Sequence, residues 1–377
     1  MGRSVGRGFR FGAWTNVGSS RITRTTIFKT IIIFNKQQPQ FPLNCTDGNL
    51  AKTCSSYYPT TFDLDDDSST TSCPNYFKWI HEDLKPWKSK GITRDMVERG
   101  KNVSHFRLVI VNGKAYVEKY DKVYQTRDVF TIWGILQLLR LYPGKIPDLD
   151  LMFQCGDKPV VLKKDFQGPQ AMSPPPVFHY CGDENAHDIV FPDWSFWGWP
   201  EINIGPWETT LHKILEGNKM IKWKDRTPYA FWKGNLAMAD IRRELGKCNP
   251  TKEHDWNARI HNIAQVIGNG GTSFIVENLK TKFVYDYMFY LLNEYAKLLK
   301  FKPTIPTGAV EICSESMACS VHGLEKRFMV ESMVTSPSDT PPCTMPPPYT
   351  PETLKEFLQE KENIIKQVKT KEVNTKM

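Results

Sequence analysis

Leu149-Asp150-Leu151-Met152-Phe153-Gln154-Cys155-Gly156-Asp157 is the stretch that decides the fold and points to a site. Its apolar residues form a short run, and a single glycine separates that run from the final aspartate. Such a run predicts a buried strand that ends just before the carboxylate. In open α/β sheets, ligands bind in the crevice outside the carboxyl ends of the strands. The pattern therefore predicts that Asp157 lies at a ligand-binding edge, although a lone loop aspartate is more often a turn former or a helix cap.

The signals on either side of this stretch also indicate an α/β fold. Residues 106–111 and 115–120 flank Asn112-Gly113, which is a strong hairpin signal. Residues 132–141 predict a buried helix, and residues 177–181 predict a second strand after three consecutive prolines. Residues 283–300 carry apolar side chains at helical spacing, which favours a packing helix over a cofactor site.

The net charge suggests nucleic acid as a partner at first sight, but its distribution excludes this class. The 377-residue chain has a formal charge of +8 and 40% apolar residues, enough for one large domain or two ordinary ones. Residues 1–36 contain seven lysines and arginines and no acid, so they carry almost all of the excess. The remainder is near neutral and has no basic stripe interleaved with aromatics. We expect no nucleic-acid partner.

The N-terminal region has the features of a shortened targeting segment. Its basic flank leads into residues 27–34, an apolar run that Lys29 interrupts. A spanning helix needs about 20 apolar residues, so this run cannot cross a bilayer as a regular helix. An eroded signal-anchor and an unstructured basic leader explain it equally well.

Cysteine usage and two glycosylation triplets favour the lumen of the secretory pathway. The nine cysteines form no C-x-x-C pair and no zinc-finger spacing, so we expect no structural metal site. Asn44-Cys45-Thr46 and Asn102-Val103-Ser104 are acceptor triplets, although such triplets often arise by chance. Scattered cysteines together with the triplets and the leader favour a lumenal protein with disulfides. The odd count leaves at least one thiol free or paired with another chain.

Three further groups of residues are candidate sites. Asp148-Leu149-Asp150 has the D-x-D form of a metal-held nucleotide diphosphate, but it lies at the start of the strand, so we interpret it as a strand-entry feature. His179, Cys181 and His187 lack the ligand spacing or context of a metal or nucleophile site. Residues 187–207 combine four tryptophans with acids and a histidine, which fits either a ligand platform or a corner of the core.

The segment around Lys233 is a candidate phosphate site. An apolar run ends in Lys233-Gly234-Asn235, and Arg242 and Arg243 follow. A strand that opens through glycine into a helix directs backbone N–H groups and a positive helix end at a phosphate. The basic side chains would add charge for a diphosphate leaving group. An arginine pair on a helix is more often a solvated face.

Together these segments resemble the Rumi-type protein O-glucosyltransferases, glycosyltransferase family 90, in a plant-like version. The likeness covers about residues 41–260 and 268–335, and its motifs are specific together rather than singly. The matching stretches are CPNYF at 73–77, IHEDL at 80–84, FQCGDKP at 153–159, HDIVFPDWSFWG at 187–198, FWKGN at 231–235 and the closing helix at 283–303.

The resemblance implies a GT-B architecture, with two Rossmann-like domains, a cleft between them and no metal requirement. It implies that Asp157 is the catalytic base, which takes a proton from an acceptor hydroxyl while UDP leaves from the opposite face of the sugar, with inversion. A carboxylate suits this role because it is ionised near neutral pH. The other residues implied are contacts to the UDP-sugar at Lys233, Gly234, Asn235 and Arg242, and cleft-lining residues at His187, Asp188, Trp194 and Trp197.

The chain also departs from the family pattern. After residues 256–259, family members continue through a Gly-rich, basic segment that grips the donor diphosphate, whereas here residues 262–268 rejoin the pattern just before the last helices. The usual membrane anchor is also eroded. Such a doubly shortened chain is expected from a splice form, a pseudogene or a faulty gene model.

These observations give a domain plan and a function. We expect an inverting transferase of the ER or Golgi lumen that moves glucose or a related sugar from a UDP-sugar to a protein or polysaccharide acceptor, without a cofactor and with N-terminal membrane anchoring. The alternative is a catalytically dead remnant that only binds the acceptor, and a weaker one is a structural protein of the membrane surface. The expected parts are a basic leader at 1–36, a stem at 37–72, the acceptor-side Rossmann-like domain at 73–207, an incomplete donor domain with closing helices at 208–303, a Cys/Pro-rich linker at 304–351 and an amphipathic tail helix at 352–377.

Overall fold

The computed structural model describes residues 39–45, 54, 71–168, 171–222, 225–226 and 275–374. The N-terminal leader and residues 229–243 lie outside these ranges. All the described residues belong to one unit of the chain, Gln38–Met377. No helix among them is long and apolar enough to cross a bilayer.

The predicted hairpin is confirmed. Strand β1 (Phe106–Val111) pairs antiparallel with β2 (Lys114–Lys119). The turn between them places Asn112 at φ 51° and Gly113 at φ 74°, the left-handed backbone that a two-residue turn of this hand requires. Asparagine and glycine adopt this backbone at little steric cost, so the hairpin follows directly from the local sequence.

The predicted central strand is also confirmed, and three parallel strands begin with it. Strand β3 (Leu149–Phe153) is buried along its whole length, as expected for a strand covered on both faces. It pairs antiparallel with β1 and parallel with β4 (Val177–His179), which in turn pairs parallel with β5 (Ile189–Val190). With β6 (Val310–Ile312) beside β2, the six strands lie in the order β5-β4-β3-β1-β2-β6.

The architecture is mixed α/β rather than the parallel arrangement that Rossmann-like domains imply. Three of the five strand pairings are antiparallel. The pairing of β1 with β2 has to be, because the two-residue turn that joins them cannot make a parallel connection. Within the described residues between β3 and β4, the chain forms one short 3-10 helix, Lys163–Phe166, where a crossover helix would be expected. The prediction of an α/β fold is confirmed, and the two-domain GT-B arrangement stays a prediction.

Eight α-helices lie wholly within the described residues. Helix α3 begins five residues before the predicted run and ends where proline and glycine were expected to end it. Its buried Gly134 lies against the indole of Trp197, and a Cβ at this glycine would come within 2.5 Å of the ring. The helices are α1 (Trp79–Asp83), α2 (Arg94–Gly100), α3 (Arg127–Leu141), α4 (Trp207–Met220), α5 (Thr281–Leu298), α6 (Ser314–Ala318), α7 (Gly323–Glu331) and α8 (Pro351–Asn374).

Residues 304–351 are more structured than the expected linker. They contribute β6 to the sheet edge and form α6 and α7, and Phe328 of α7 is buried. Three disulfides join this region to the N-terminal part of the chain, and they are Cys45–Cys319, Cys54–Cys313 and Cys73–Cys343. Cross-links that close such long loops restrict the unfolded chain and so stabilise the packed region.

Both carboxylates of the D-x-D pair have structural partners. Asp150 is fully buried, and its carboxylate accepts hydrogen bonds from Arg107 Nε at 2.7 Å and Arg107 Nη2 at 2.6 Å. Asp148 Oδ1 accepts from the backbone N–H of Asn112 at 2.8 Å and so holds the hairpin turn. The pair is therefore a strand-entry feature, as the sequence position indicated.

Candidate active site

Asp157 lies just beyond the carboxyl end of β3, as the sequence predicted. The two neighbouring parallel strands end at the same edge of the sheet, so the segments after β4 and β5 meet it there. The Cys181 thiol, two residues after β4, lies 3.6 Å from the backbone oxygen of Asp157. The carboxyl side chain of Asp157 is 58% exposed, so a substrate can reach it.

Arg127, the first residue of α3, holds the Asp157 carboxylate. Its Nη1 donates to Asp157 Oδ1 at 2.9 Å and to the backbone oxygen of Cys155 at 3.0 Å. The arginine side chain is only 7% exposed. A buried arginine that is anchored to backbone as well as to the carboxylate fixes one carboxylate oxygen in position. Asp157 Oδ2 accepts no hydrogen bond from the described residues.

Aromatic rings pack around this arginine. The Arg127 guanidinium carbon lies 4.6 Å from the ring centroid of Trp194 and 5.3 Å from that of Tyr124. Trp194 is buried, whereas Tyr124 is 69% exposed. Arg127 Nε and Trp194 Nε1 are buried without a hydrogen-bond partner in the described part of the chain. The guanidinium charge is therefore stabilised mainly by contact with the two aromatic rings and by the hydrogen bonds that Nη1 donates.

His179 and Cys181 form a second group at the same edge. The backbone N–H of Cys181 donates to His179 Nδ1 at 3.1 Å, while His179 Nε2 is buried without a partner among the described residues. Burial lowers the pKa of His179, which favours the neutral ring. Partial burial, and then the charges of Asp188 and Asp157, raise the pKa of the Cys181 thiol. The thiol is thus kept protonated, and a nucleophilic Cys–His pair is not favoured here.

The four residues expected to line the cleft separate into two groups. His187 is partly exposed and Asp188 is buried, and both border a cavity of about 1220 Å³. The Asp188 carboxylate accepts from the backbone N–H groups of Val160 and Val161, at 3.0 and 2.9 Å, and so shapes the loop after β3.

Trp194 and Trp197 are core residues rather than exposed platforms. Trp194 is 5% exposed and lies beneath Arg127, and Trp197 is 2% exposed. The Trp197 indole packs on α3 and donates to the Tyr285 hydroxyl at 2.9 Å. Trp197 is buried because the glycine in α3 leaves a space that its indole fills, and a cleft-lining role for these two residues stays a prediction.

The large cavity lies beside the Asp157 site, and Asp157 is not part of its lining. Tyr180 lies between the two. It borders the cavity, and its hydroxyl donates at 3.2 Å to Sγ of Cys155, which is two residues before Asp157. The cavity is also bordered by Asp83 and by Leu354 and Leu358 of the tail helix α8. The exposed Asp157 carboxylate and its buried arginine therefore lie beside this cavity rather than in its lining.

The remaining predicted site residues, Lys233, Gly234, Asn235 and Arg242, lie outside the described residues. Within the described ranges, no three His, Cys, Asp or Glu side chains are grouped so that they could hold a metal ion. Sequence reasoning missed Arg127 and Tyr180. The predicted helix began at residue 132, and an arginine in the preceding segment carries no signal of its own.

Comparison with known proteins identifies the family. The model of glycosyl transferase family 90 matches residues 68–265 and 261–372. The chain is 25% identical over 241 residues to Protein O-glucosyltransferase 1 of Bos taurus, covering 58% of this chain and 57% of that protein. It is 27% identical over 241 residues to the Rattus norvegicus protein of the same name, with the same coverage.

A third relative is the O-glucosyltransferase rumi homolog of Anopheles gambiae, 26% identical over 174 residues, which are 44% of this chain and 40% of that one. The chain thus spans about half the length of the curated relatives it matches. The family match covers most of the residues from the CPNYF motif to the tail helix, including β3 and Asp157. On this evidence, the chain belongs to glycosyltransferase family 90.

Proposed function

We propose that this chain is an inverting glycosyltransferase that moves glucose, or a related sugar, from a UDP-sugar to a hydroxyl of a protein or glycan acceptor. Asp157 is the general base in this proposal. The observation that carries it is an exposed carboxylate at the end of the central buried strand, held by a buried arginine. The names of the relatives, which are protein O-glucosyltransferases, support the reaction class and favour a protein acceptor.

The geometry of the pair suits removal of a proton from an alcohol. Arg127 binds Asp157 Oδ1, which leaves Oδ2 to take a hydrogen bond from the hydroxyl of the acceptor substrate. As the hydroxyl oxygen attacks the anomeric carbon, its proton passes to Oδ2 and the bond from that carbon to the UDP oxygen breaks. Attack from the face opposite UDP inverts the anomeric configuration. General-base assistance of this kind contributes typically 10²–10⁴-fold to the rate.

The donor is assigned to residues on the other side of the proposed cleft. Lys233, Gly234, Asn235 and Arg242 would contact the UDP-sugar, with the basic side chains and backbone N–H groups offsetting the diphosphate charge. No cofactor or metal is required, since these groups take the part that a cation plays in metal-dependent enzymes. The proposal includes the GT-B arrangement, with an acceptor-side domain at 73–207 and an incomplete donor domain at 208–303.

A second candidate function is acceptor binding without sugar transfer. The family match falls into two segments that meet at 261–265, close to where the sequence departs from the family pattern. Loss of the diphosphate-binding segment there would leave the Asp157 side of the cleft able to hold an acceptor but unable to hold the donor. This alternative predicts a folded chain with no affinity for UDP-glucose.

We place the protein in the lumen of the secretory pathway, in the ER or Golgi, with residues 1–36 as an eroded anchor whose apolar run is too short to span a bilayer as a regular helix. Three disulfides in the structure support an oxidising compartment. Anchoring depends on residues 1–36, so removal of these residues should release the protein from membranes.

The first experiment is a calorimetric titration of UDP-glucose into the full chain. Binding at about 100 μM or tighter, near −5.5 kcal/mol, would support an intact donor site. Transfer is then followed with radiolabelled UDP-glucose and a lumenal protein extract. Asp157→Asn should remove transfer and keep UDP-glucose affinity, whereas Asp165→Asn, an exposed carboxylate in the same loop, should change neither.

The outcomes separate the two candidates. Transfer that survives Asp157→Asn would exclude Asp157 as the base. A chain that is folded by circular dichroism but binds no UDP-glucose would favour acceptor binding alone.

A further inference from the structure

The two glycosylation triplets occupy different surroundings, and the one at Asn102 is fully described. Asn102 is exposed on the short 3-10 helix Lys101–Val103, and its side chain forms no hydrogen bond with the described residues. The neighbouring Val103 is 39% exposed. In the other triplet, Asn44 is followed by Cys45, which is joined to Cys319. The amide of Asn102 therefore extends into solvent without a structural task.

The hydroxyl residue of the triplet shows when modification would have to take place. Ser104 is 4% exposed, and its hydroxyl donates to the backbone oxygen of Gly100 at 2.8 Å. Its backbone N–H also donates to the backbone oxygen of Lys101 at 3.3 Å. A glycosylating enzyme that reads the hydroxyl cannot reach it in the folded chain. Modification at Asn102 must therefore precede folding of the corner between α2 and β1.

The folded structure tolerates a glycan at this position. Since Asn102 is exposed and binds no neighbour, a sugar on its amide displaces no core contact. The three disulfides indicate the oxidising compartment in which chains are N-glycosylated as they enter. The triplet, the exposure of its asparagine and the redox compartment are independent observations that agree.

The position also has a consequence for the Asp157 edge. Residue 105, directly after the triplet, binds the end of β3, because the His105 N–H donates to Phe153 O at 2.8 Å and the Cys155 N–H donates to His105 Nδ1 at 3.0 Å. Asn102 thus lies at the sheet edge that carries Asp157, on the side of β1. A glycan there would leave the β4 and β5 side as the open approach for an acceptor.

We propose that Asn102 carries an N-linked glycan, attached during synthesis and located at the sheet edge of the Asp157 site. In this step the side-chain amide nitrogen bonds to C1 of an oligosaccharide carried on a lipid diphosphate. The bond from C1 to the phosphate oxygen breaks, the lipid diphosphate leaves, and the amide gives up one proton. The inference rests on the lumenal location proposed above.

The test is translation of the full chain in vitro with ER microsomes, with and without a cleavable signal peptide fused in front. Protease protection reports entry into the lumen, and endoglycosidase treatment reports glycans as a mobility shift. The enzyme that cleaves the amide bond converts a modified asparagine to aspartate, so mass spectrometry locates the site. Wild type should shift, Asn102→Gln should lose one glycan step, and Ser104→Thr, which preserves the triplet, should retain it. Asn44→Gln is the matched control and should keep the Asn102 glycan.

Each outcome decides the question. A protected chain whose residue 102 remains unmodified overturns the proposal. If the natural chain is not protected, the lumenal location fails, and the signal-peptide fusion still shows whether the Asn102 triplet is used. Loss of the glycan in Ser104→Thr as well as in Asn102→Gln would also contradict the assignment.

Discussion

Removing the carboxylate of Asp150 is expected to destabilise the protein by about 3 kcal/mol without touching the reaction site. Asp150 is fully buried in β3 and binds Arg107 of β1 through both oxygens. The Arg107 side chain is 5% exposed, and its Nη1 also lies 2.9 Å from Glu98. Asp150→Ala leaves a buried guanidinium whose remaining charged partner in the described part of the chain is Glu98, a carboxylate that is 46% exposed.

The magnitude follows from this geometry. Breaking a buried ion pair by removing one partner typically costs about 3–5 kcal/mol, because the other charge stays buried and uncompensated. Glu98 still offsets part of the charge, so the lower end of that range applies. For a domain whose total stability is about 5–15 kcal/mol, this loss is large.

The assay is urea unfolding of the oxidised protein, followed by tryptophan fluorescence. A loss of about 3 kcal/mol with a urea slope of about 3 kcal/mol/M moves the midpoint by about 1 M. Asp148→Ala is the matched control, since it removes one hydrogen bond to the hairpin turn and should cost about 1 kcal/mol. Arg107→Met with Asp150→Leu removes both charges and should recover most of the loss.

Two results would refute this reasoning. One is a cost for Asp150→Ala no larger than that of Asp148→Ala. The other is stabilisation of the wild type, but not of Asp150→Ala, by added Mn²⁺ or Mg²⁺, which would show that the D-x-D pair holds a metal.

Three further predictions concern pH, the site and the disulfides. Burial raises the pKa of Asp83 to about 7, so the folded state keeps a proton that the unfolded state releases, and stability falls between about pH 4 and pH 7. Asp83→Asn should reduce this loss of unfolding free energy with rising pH, by at most ~4 kcal/mol, as measured by thermal unfolding at pH 4, 5.5 and 7. The same pH dependence in the variant and the wild type would contradict a raised pKa for Asp83. Arg127→Gln should lower kcat for sugar transfer by about 10²-fold with little change in the KM for UDP-glucose, because Asp157 loses its orientation. Arg127→Lys should restore part of the lost kcat. Equal losses of kcat in both variants would indicate a structural role alone. Replacing Cys73 and Cys343 by serine should lower the free energy of unfolding in urea by about 4 kcal/mol. The loss is smaller than for a single disulfide that closes a loop of this length, because two other disulfides join the same parts of the chain. A loss below 1 kcal/mol would argue against this pairing.

Local signals in the sequence determined several elements correctly. Asn112-Gly113 required a left-handed turn and so predicted the hairpin, and the apolar run before Gly156 predicted a buried strand with Asp157 at its end. The apolar period at 283–300 predicted helix α5. These features depend on residues within a few positions of one another, which is why they could be recognised without the fold.

Only the tertiary structure decided which distant residues meet. It placed Arg127 on Asp157, 30 positions away, and Arg107 on Asp150, 43 positions away. It also put Trp197 into the core, one of the two places that composition had left open for the tryptophan-rich segment, because the space above Gly134 exists only once α3 is packed. Periodicity reports which face of an element is buried. The partner of that face is determined by strand register and helix packing, and these depend on the whole chain.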